Sequence, residues 1–103
     1  MTALKKRARA LEAAFAHEQD AAFRARSRSN ALAGLWAAAL MHRGDAEAYA
    51  RELAIADVAD PHGAFNRLRQ DLTASGLHIT DDELRHRMVT LLRDVAEDMH
   101  RAA

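Results

Sequence analysis

Six histidines, at positions 17, 42, 62, 78, 86 and 100, carry the widest chemical repertoire in this 103-residue chain. A zinc site needs several ligands at close, regular spacing, yet no two of these histidines stand four apart and no cysteine assists them. No ligand set of the usual kind can be written, and no metal is expected. Most of the histidines are expected on helix surfaces or in turns, with His17 beside Glu18 placed to tune partner binding near neutral pH. Nucleophilic catalysis has no better footing. Ser27 and Ser29 lie in a basic tract and Ser75 near a helix end, without the strand-to-helix elbow that would activate a serine. Asp81 and Asp82 are sufficiently explained as charges at a helix N-terminus. No Gly-rich loop precedes a lysine. Neither an enzyme nor a cofactor is expected.

The remaining chemistry is that of binding, and the charge distribution locates it. Residues 1–30 carry seven Lys and Arg against three Asp and Glu, residues 31–103 carry eight against twelve, and the total is neutral. A basic arm therefore precedes an acidic body. Lys5, Lys6, Arg7 and Arg9, then Arg24, Arg26 and Arg28, would favour phosphates. No interleaved aromatics, zinc module or reading helix accompanies them, which argues against nucleic acid as the partner.

The elements that position these residues follow from composition and spacing. Alanine makes up about a quarter of the chain, with one proline and four glycines, which favours closely packed helices over a sheet. One domain is expected at this length, divided into a basic arm over residues 1–29 and a helical bundle over residues 30–103. The lack of cysteine excludes disulfides and makes the cytoplasm the expected location. No apolar run approaches the roughly 20 residues of a membrane span, and no hydrophobic signal segment follows the basic N-terminus. The chain is expected to be soluble and unprocessed.

Leu4, Ala8, Leu11, Phe15 and Ala22 form a thin stripe on one face of a helical arm, too narrow for a buried helix. Asp20 and Arg24 are spaced for an i,i+4 pair. Leu32, Leu35, Trp36, Ala39 and Leu40 predict a core-facing helix that ends near His42 and Arg43, with Gly44 in the left-handed position. Ser27, Ser29 and Asn30 leave open whether this helix continues the arm. Asn30 and Gly34 are one turn apart, and Gly34 would let another helix approach closely. Asp45 is placed to cap a second helix with Ala46, Tyr49, Leu53 and Ala56 inward. Asp60 and Pro61 are placed to open a third, with Phe65, Leu68 and Leu72 inward and Gly76 at its end. Thr80 to Glu83 reads as a capping box for a fourth carrying Leu84, Met88, Leu91, Leu92, Val95 and Met99. Short connections predict a small antiparallel four-helix bundle, all-α, behind a long or partly flexible N-terminal helical arm.

The run Glu12-x-x-Phe15-Ala16-His17-Glu18, Phe23-Arg24 and Arg28-x-Asn30-x-Leu32-x-Gly34-Leu35-Trp36-Ala37-Ala38 resembles the zeta subunit of alphaproteobacterial F-type ATP synthases. The similarity continues through Tyr49-Ala50-Arg51-Glu52, Asp57, Phe65-x-x-Leu68-Arg69-x-Asp71-Leu72, Gly76 and Asp81-x-x-Leu84-Arg85-x-x-Met88-x-x-Leu91-Leu92. The resemblance implies a four-helix bundle and an inhibitor of ATP hydrolysis. Its arm, through Leu4, Lys5, Lys6, Arg7, Arg9, Leu11, Glu12 and Phe15, would enter the catalytic head between the alpha and beta subunits and against the gamma rotor. The motif residues Arg28, Asn30, Gly34, Leu35 and Trp36 would belong to the anchoring part. Its location would be the cytoplasm, at the cytoplasmic face of the inner membrane when bound to the synthase. Lys5-Lys6-Arg7-Ala8 stands where the family usually has acidic residues and an Arg-Glu pair. Residues 27–34 lack two basic residues and one Leu of the family's run. The rival expectation is a non-inhibitory paralogue serving as a helical binding module for another partner, nucleic acid through the basic arm being the version most easily tested.

Overall fold

Residues 2–102 are described by a computed structural model of the protein. From Ala3 to Leu40 the sequence is rich in alanine and free of proline, and it forms one unbroken helix, α1 (Ala3–Leu40). Thr2 caps it, its Oγ1 accepting from the Lys5 N–H at 3.3 Å. The arm and the first bundle helix are thus continuous. Ser29 does not interrupt them because its hydroxyl donates to the Arg26 carbonyl within the helix, at 3.0 Å. The remaining elements are α2 (Ala46–Ala54), a one-turn α3 (Ala56–Ala59), α4 (Gly63–Ala74) and α5 (Asp81–Ala102), with no strand among the described residues.

The core-facing side of α1 differs from the one predicted. The buried residues are Ala33, Gly34, Ala37 and Ala38, whereas Leu32, Leu35, Ala39 and Leu40 lie exposed at its margins and Trp36 is half-buried against the core. The cause is the closeness of α2. A Cβ placed on Gly34 would stand 3.0 Å from the Ala50 Cα and 3.3 Å from Leu53. Only Gly and Ala fit where two helix backbones come this near, so the leucines are displaced to the edges of the contact. Tyr49, Leu53, Leu68, Leu72 and Leu84 complete the buried cluster, as the stripes of α2, α4 and α5 predict, and Ala64 joins them while the expected Phe65 is half-buried against it.

Two helix ends also differ from expectation. α1 closes in a Schellman arrangement, with Arg43 N–H donating to Ala38 and His42 N–H to Ala39, and the left-handed residue is His42 at φ 55°, not Gly44. The same pattern closes α4 with Gly76 at φ 81°, as expected. Asp60 and Pro61 do not open α4. The Asp60 carboxylate accepts from the His62 N–H at 3.0 Å, and the helix begins two residues after the proline, at Gly63. Asp45 stands at the α2 N-terminus, but its carboxylate takes a bidentate pair from Arg43 at 2.8 and 2.9 Å instead of capping the helix. At α5 the Thr80 hydroxyl accepts from the Glu83 N–H at 3.1 Å, as half of a capping box requires.

Two polar networks tie the helices together. Asp57 accepts from the buried Asn30 side chain at 2.9 Å and from the Ala64 N–H at 2.8 Å, which joins α1 to the start of α4 through α3. The hydroxyl of Tyr49 donates to Asp71 at 2.7 Å, Arg67 donates to the same oxygen at 2.7 Å, and a second nitrogen of Arg67 reaches Glu52 at 2.9 Å. The guanidinium of Arg43 lies 4.3 Å from the Tyr49 ring centre.

Gly34→Val should destabilise the protein by about 1–3 kcal/mol, the usual cost of overpacking, and lower its urea midpoint accordingly. Burial, and then the bond to Asp71, push the Tyr49 phenol above its ordinary range. A raised pKa in the folded state stabilises the protein fully below the unfolded tyrosine value of about 10 and progressively less as pH rises through it. The single tyrosine should therefore resist ionisation at 295 nm at pH 10 while the protein stays folded, with thermal stability falling above that pH.

Candidate functional site

Residues 2–20 are all solvent-exposed, and burial against the bundle sets in at Ala21 and Ala25, with His17 reaching the end of α5. The projecting part of α1, residues 3–20, extends about 27 Å at 1.5 Å per residue. It makes the molecule long, with extents of 63 × 28 × 25 Å. The radius of gyration is 17.3 Å, against about 13 Å for a compact chain of this length.

On this projection Leu4, Leu11 and Phe15 are 76%, 72% and 64% exposed, and with Ala8 they form one line at spacings of four, three and four. The heptad positions continue through Ala22, Ala25 and Ser29, of which Ala25 and Ser29 are buried in the bundle. The apolar line of the arm is therefore the outward extension of a face that the bundle covers further along. Lys5, Lys6, Arg7, Arg9 and Glu12 flank it, and none belongs to an ion pair among the described residues. Asp20 and Arg24 pair at 2.6 Å across an exposed turn at the arm's base. That pair is worth only a few tenths of a kcal/mol.

The second group of sequence-derived residues lies elsewhere and has other work. Asn30 and Gly34 are buried, one bonded to Asp57 and the other against Ala50. Leu35 sits at the rim of the α1–α2 contact, and the Trp36 ring faces Arg87 of α5 with 5.0 Å between guanidinium and centroid. Arg28, the one charged member of this group, is exposed and free of an ion pair among the described residues. The structure does not bring the two groups together, since roughly 20 Å of helix separates Phe15 from Arg28. Residues not singled out from sequence are Asp57, Asp71 and Arg67 as network members, and Ile55 and Val58, which stand exposed on the turn after α2. Asp57 and Asp71 were visible in the family resemblance, but their partners become evident only once the helices are packed.

The histidines remain dispersed. His17 and His100 share a depression between the arm's base and the end of α5, and no three metal-ligating side chains converge among the described residues. No helix is long and apolar enough to cross a membrane. The arrangement offers a protruding amphipathic helix with positive flanks, suited to contact with a macromolecular partner.

The family model described as ATPase inhibitor subunit zeta matches residues 1–98. No curated protein and no solved structure matches the chain. With nearly its whole length accounted for by that one model, the chain belongs to the ATPase inhibitor subunit zeta family.

Proposed function

We propose that this chain is a regulatory subunit of an F-type ATP synthase that blocks ATP hydrolysis by inserting the helix of residues 3–20 into the catalytic head. The observation that carries this reading is the exposed line of Leu4, Leu11 and Phe15 on a helix that nothing in the bundle covers. In a cleft between the alpha and beta subunits, burying these three side chains would contribute roughly 5–9 kcal/mol before the costs of ordering and association. Lys5, Lys6, Arg7, Arg9 and Glu12 would select register and orientation, because misplaced charges are penalised on desolvation. A helix tip lying against the gamma rotor would obstruct its rotation in the hydrolytic direction. The bundle would stay outside the cleft, and the complex would form at the cytoplasmic face of the membrane.

An arm of this kind gains its packing on binding. An isolated helix of its length is marginal in water, so affinity is reduced by the cost of ordering and binding stays reversible. The alternative, a binding module that has left the synthase for nucleic acid, draws on the same cations and predicts a steep loss of affinity with salt.

The test is ATP hydrolysis by the soluble ATPase head of the source organism with the full chain added, in parallel with a version lacking residues 2–19. The full chain should inhibit and the truncated chain should not. Phe15→Ala should raise the half-inhibitory concentration at least tenfold while leaving the thermal midpoint unchanged, since the side chain is exposed and outside the core cluster. Inhibition by the truncated chain would refute the role of the arm. Salt-sensitive DNA or RNA binding without inhibition would favour the alternative.

A further inference from the structure

The helices that flank α1 both run antiparallel to it, and both end at the root of the arm. Gly34 lies against Ala50 and Asn30 against Asp57, so α2 descends toward lower α1 numbers as its own numbers rise. On the other side Trp36 faces Arg87, while Ala22 and Ala25 share a depression with Ala96 and Met99. The bundle therefore widens over residues 17–30, with α5 reaching His17 and the turn after α2 reaching Asn30, from a single helix about 10–12 Å across to a body of 28 × 25 Å in its shorter extents. A cleft that takes the arm stops at this step, and its rim meets whatever chemistry the step presents.

That chemistry is unlike an ordinary solvated end. Phe23, Ile55 and Val58 are 57%, 66% and 69% exposed, and Val89 at 62% is the one other large apolar residue beyond the arm exposed by more than half among the described residues. Phe23 and Arg28 line one depression with Ala54, the neighbour of Ile55, and Val58 follows Ile55 in the same turn through its N–H bond at 3.1 Å. Scattered single apolar residues need no explanation, but three gathered beside a free cation at a steric stop do.

We propose that Phe23, Arg28, Ile55 and Val58 form a collar that seats on an apolar, acid-bearing rim of the same protein that receives the arm. This rests on the inhibitor reading above. The occupant follows from continuity, because inserting residues 3–20 carries the collar onto the rim, and from charge, because residues 1–30 carry seven cations against three anions. The collar sets the depth of insertion and slows release. The arm alone decides whether rotation is blocked.

The experiment compares Ile55→Asp/Val58→Asp, Arg28→Glu and the control Val89→Asp, which lies in the groove between α4 and α5. Hydrolysis by the purified ATPase head and binding of the chain to the immobilised head are both measured, with circular dichroism melting to verify folding. The two collar variants should each raise the half-inhibitory concentration at least tenfold and dissociate faster, with inhibition still complete at saturation, while Val89→Asp behaves as the parent. Collar variants within twofold of a parent that inhibits would overturn the collar and leave the inhibitor reading standing. Equal weakening by Val89→Asp would likewise overturn it. A parent that binds without inhibiting, and loses binding in the collar variants, would retain the collar and refute the inhibitor reading. A parent that neither binds nor inhibits would overturn both.

Discussion

The approach of α1 to α2 around Gly34 and Ala50 is the contact on which the other features depend. It brings the α1 backbone so near α2 that only Gly and Ala of residues 32–40 face inward there, which turns Leu32, Leu35 and Leu40 to the margins and leaves Trp36 at the boundary. It also gives α1 a firm seat along its second half. Because the helix is continuous from Ala3 to Leu40, holding that half fixes the direction in which the first half projects. A bundle of modest size thereby aims a helix about 27 Å long whose residues 2–20 stay exposed.

The polar networks reinforce this seat at its two ends. Asp57 joins Asn30 of α1 to the first turn of α4, and the Tyr49–Asp71–Arg67 group locks α2 onto α4. No buried side-chain nitrogen or oxygen lacks a partner among the described residues, so each of these groups is held in its place by at least one bond. Asn30 and Gly34 lie inside this scaffold, and the arm's residues lie outside it. The two parts carry different demands: tight complementarity in the bundle, and an exposed, weakly self-sufficient helix in the arm.

Much of this was legible in the sequence where a local rule decides the outcome. Thr80 and Gly76 mark helix ends through their own backbone chemistry, and the stripes of Leu68, Leu72, Leu84 and Val95 are inward as spacing requires. The arm's stripe is too thin for burial, and its residues are exposed accordingly. The inward face of α1 was not legible, because hydrophobicity ranks leucine above alanine and says nothing of how near a second backbone comes. His42 takes the left-handed position two residues before the available Gly44, which spacing alone does not indicate. The bonds of Asn30 to Asp57 and of Tyr49 to Asp71 span 27 and 22 residues and depend on which helices meet. The collar residues Ile55 and Val58 resemble core residues in the sequence and gain meaning only from their place beside the arm.

The central claim is that the arm, and not the bundle surface, makes the decisive contact with a rotary ATPase. Amide hydrogen exchange of the full chain, alone and bound to the ATPase head, tests it most directly because it reads each segment separately. Residues 3–20 should exchange rapidly in the free protein and slow at least tenfold in the complex, while the amides around Tyr49 and Leu68 keep the protection that they already have. Unchanged exchange across the arm, with new protection confined to α4 and α5, would contradict the account.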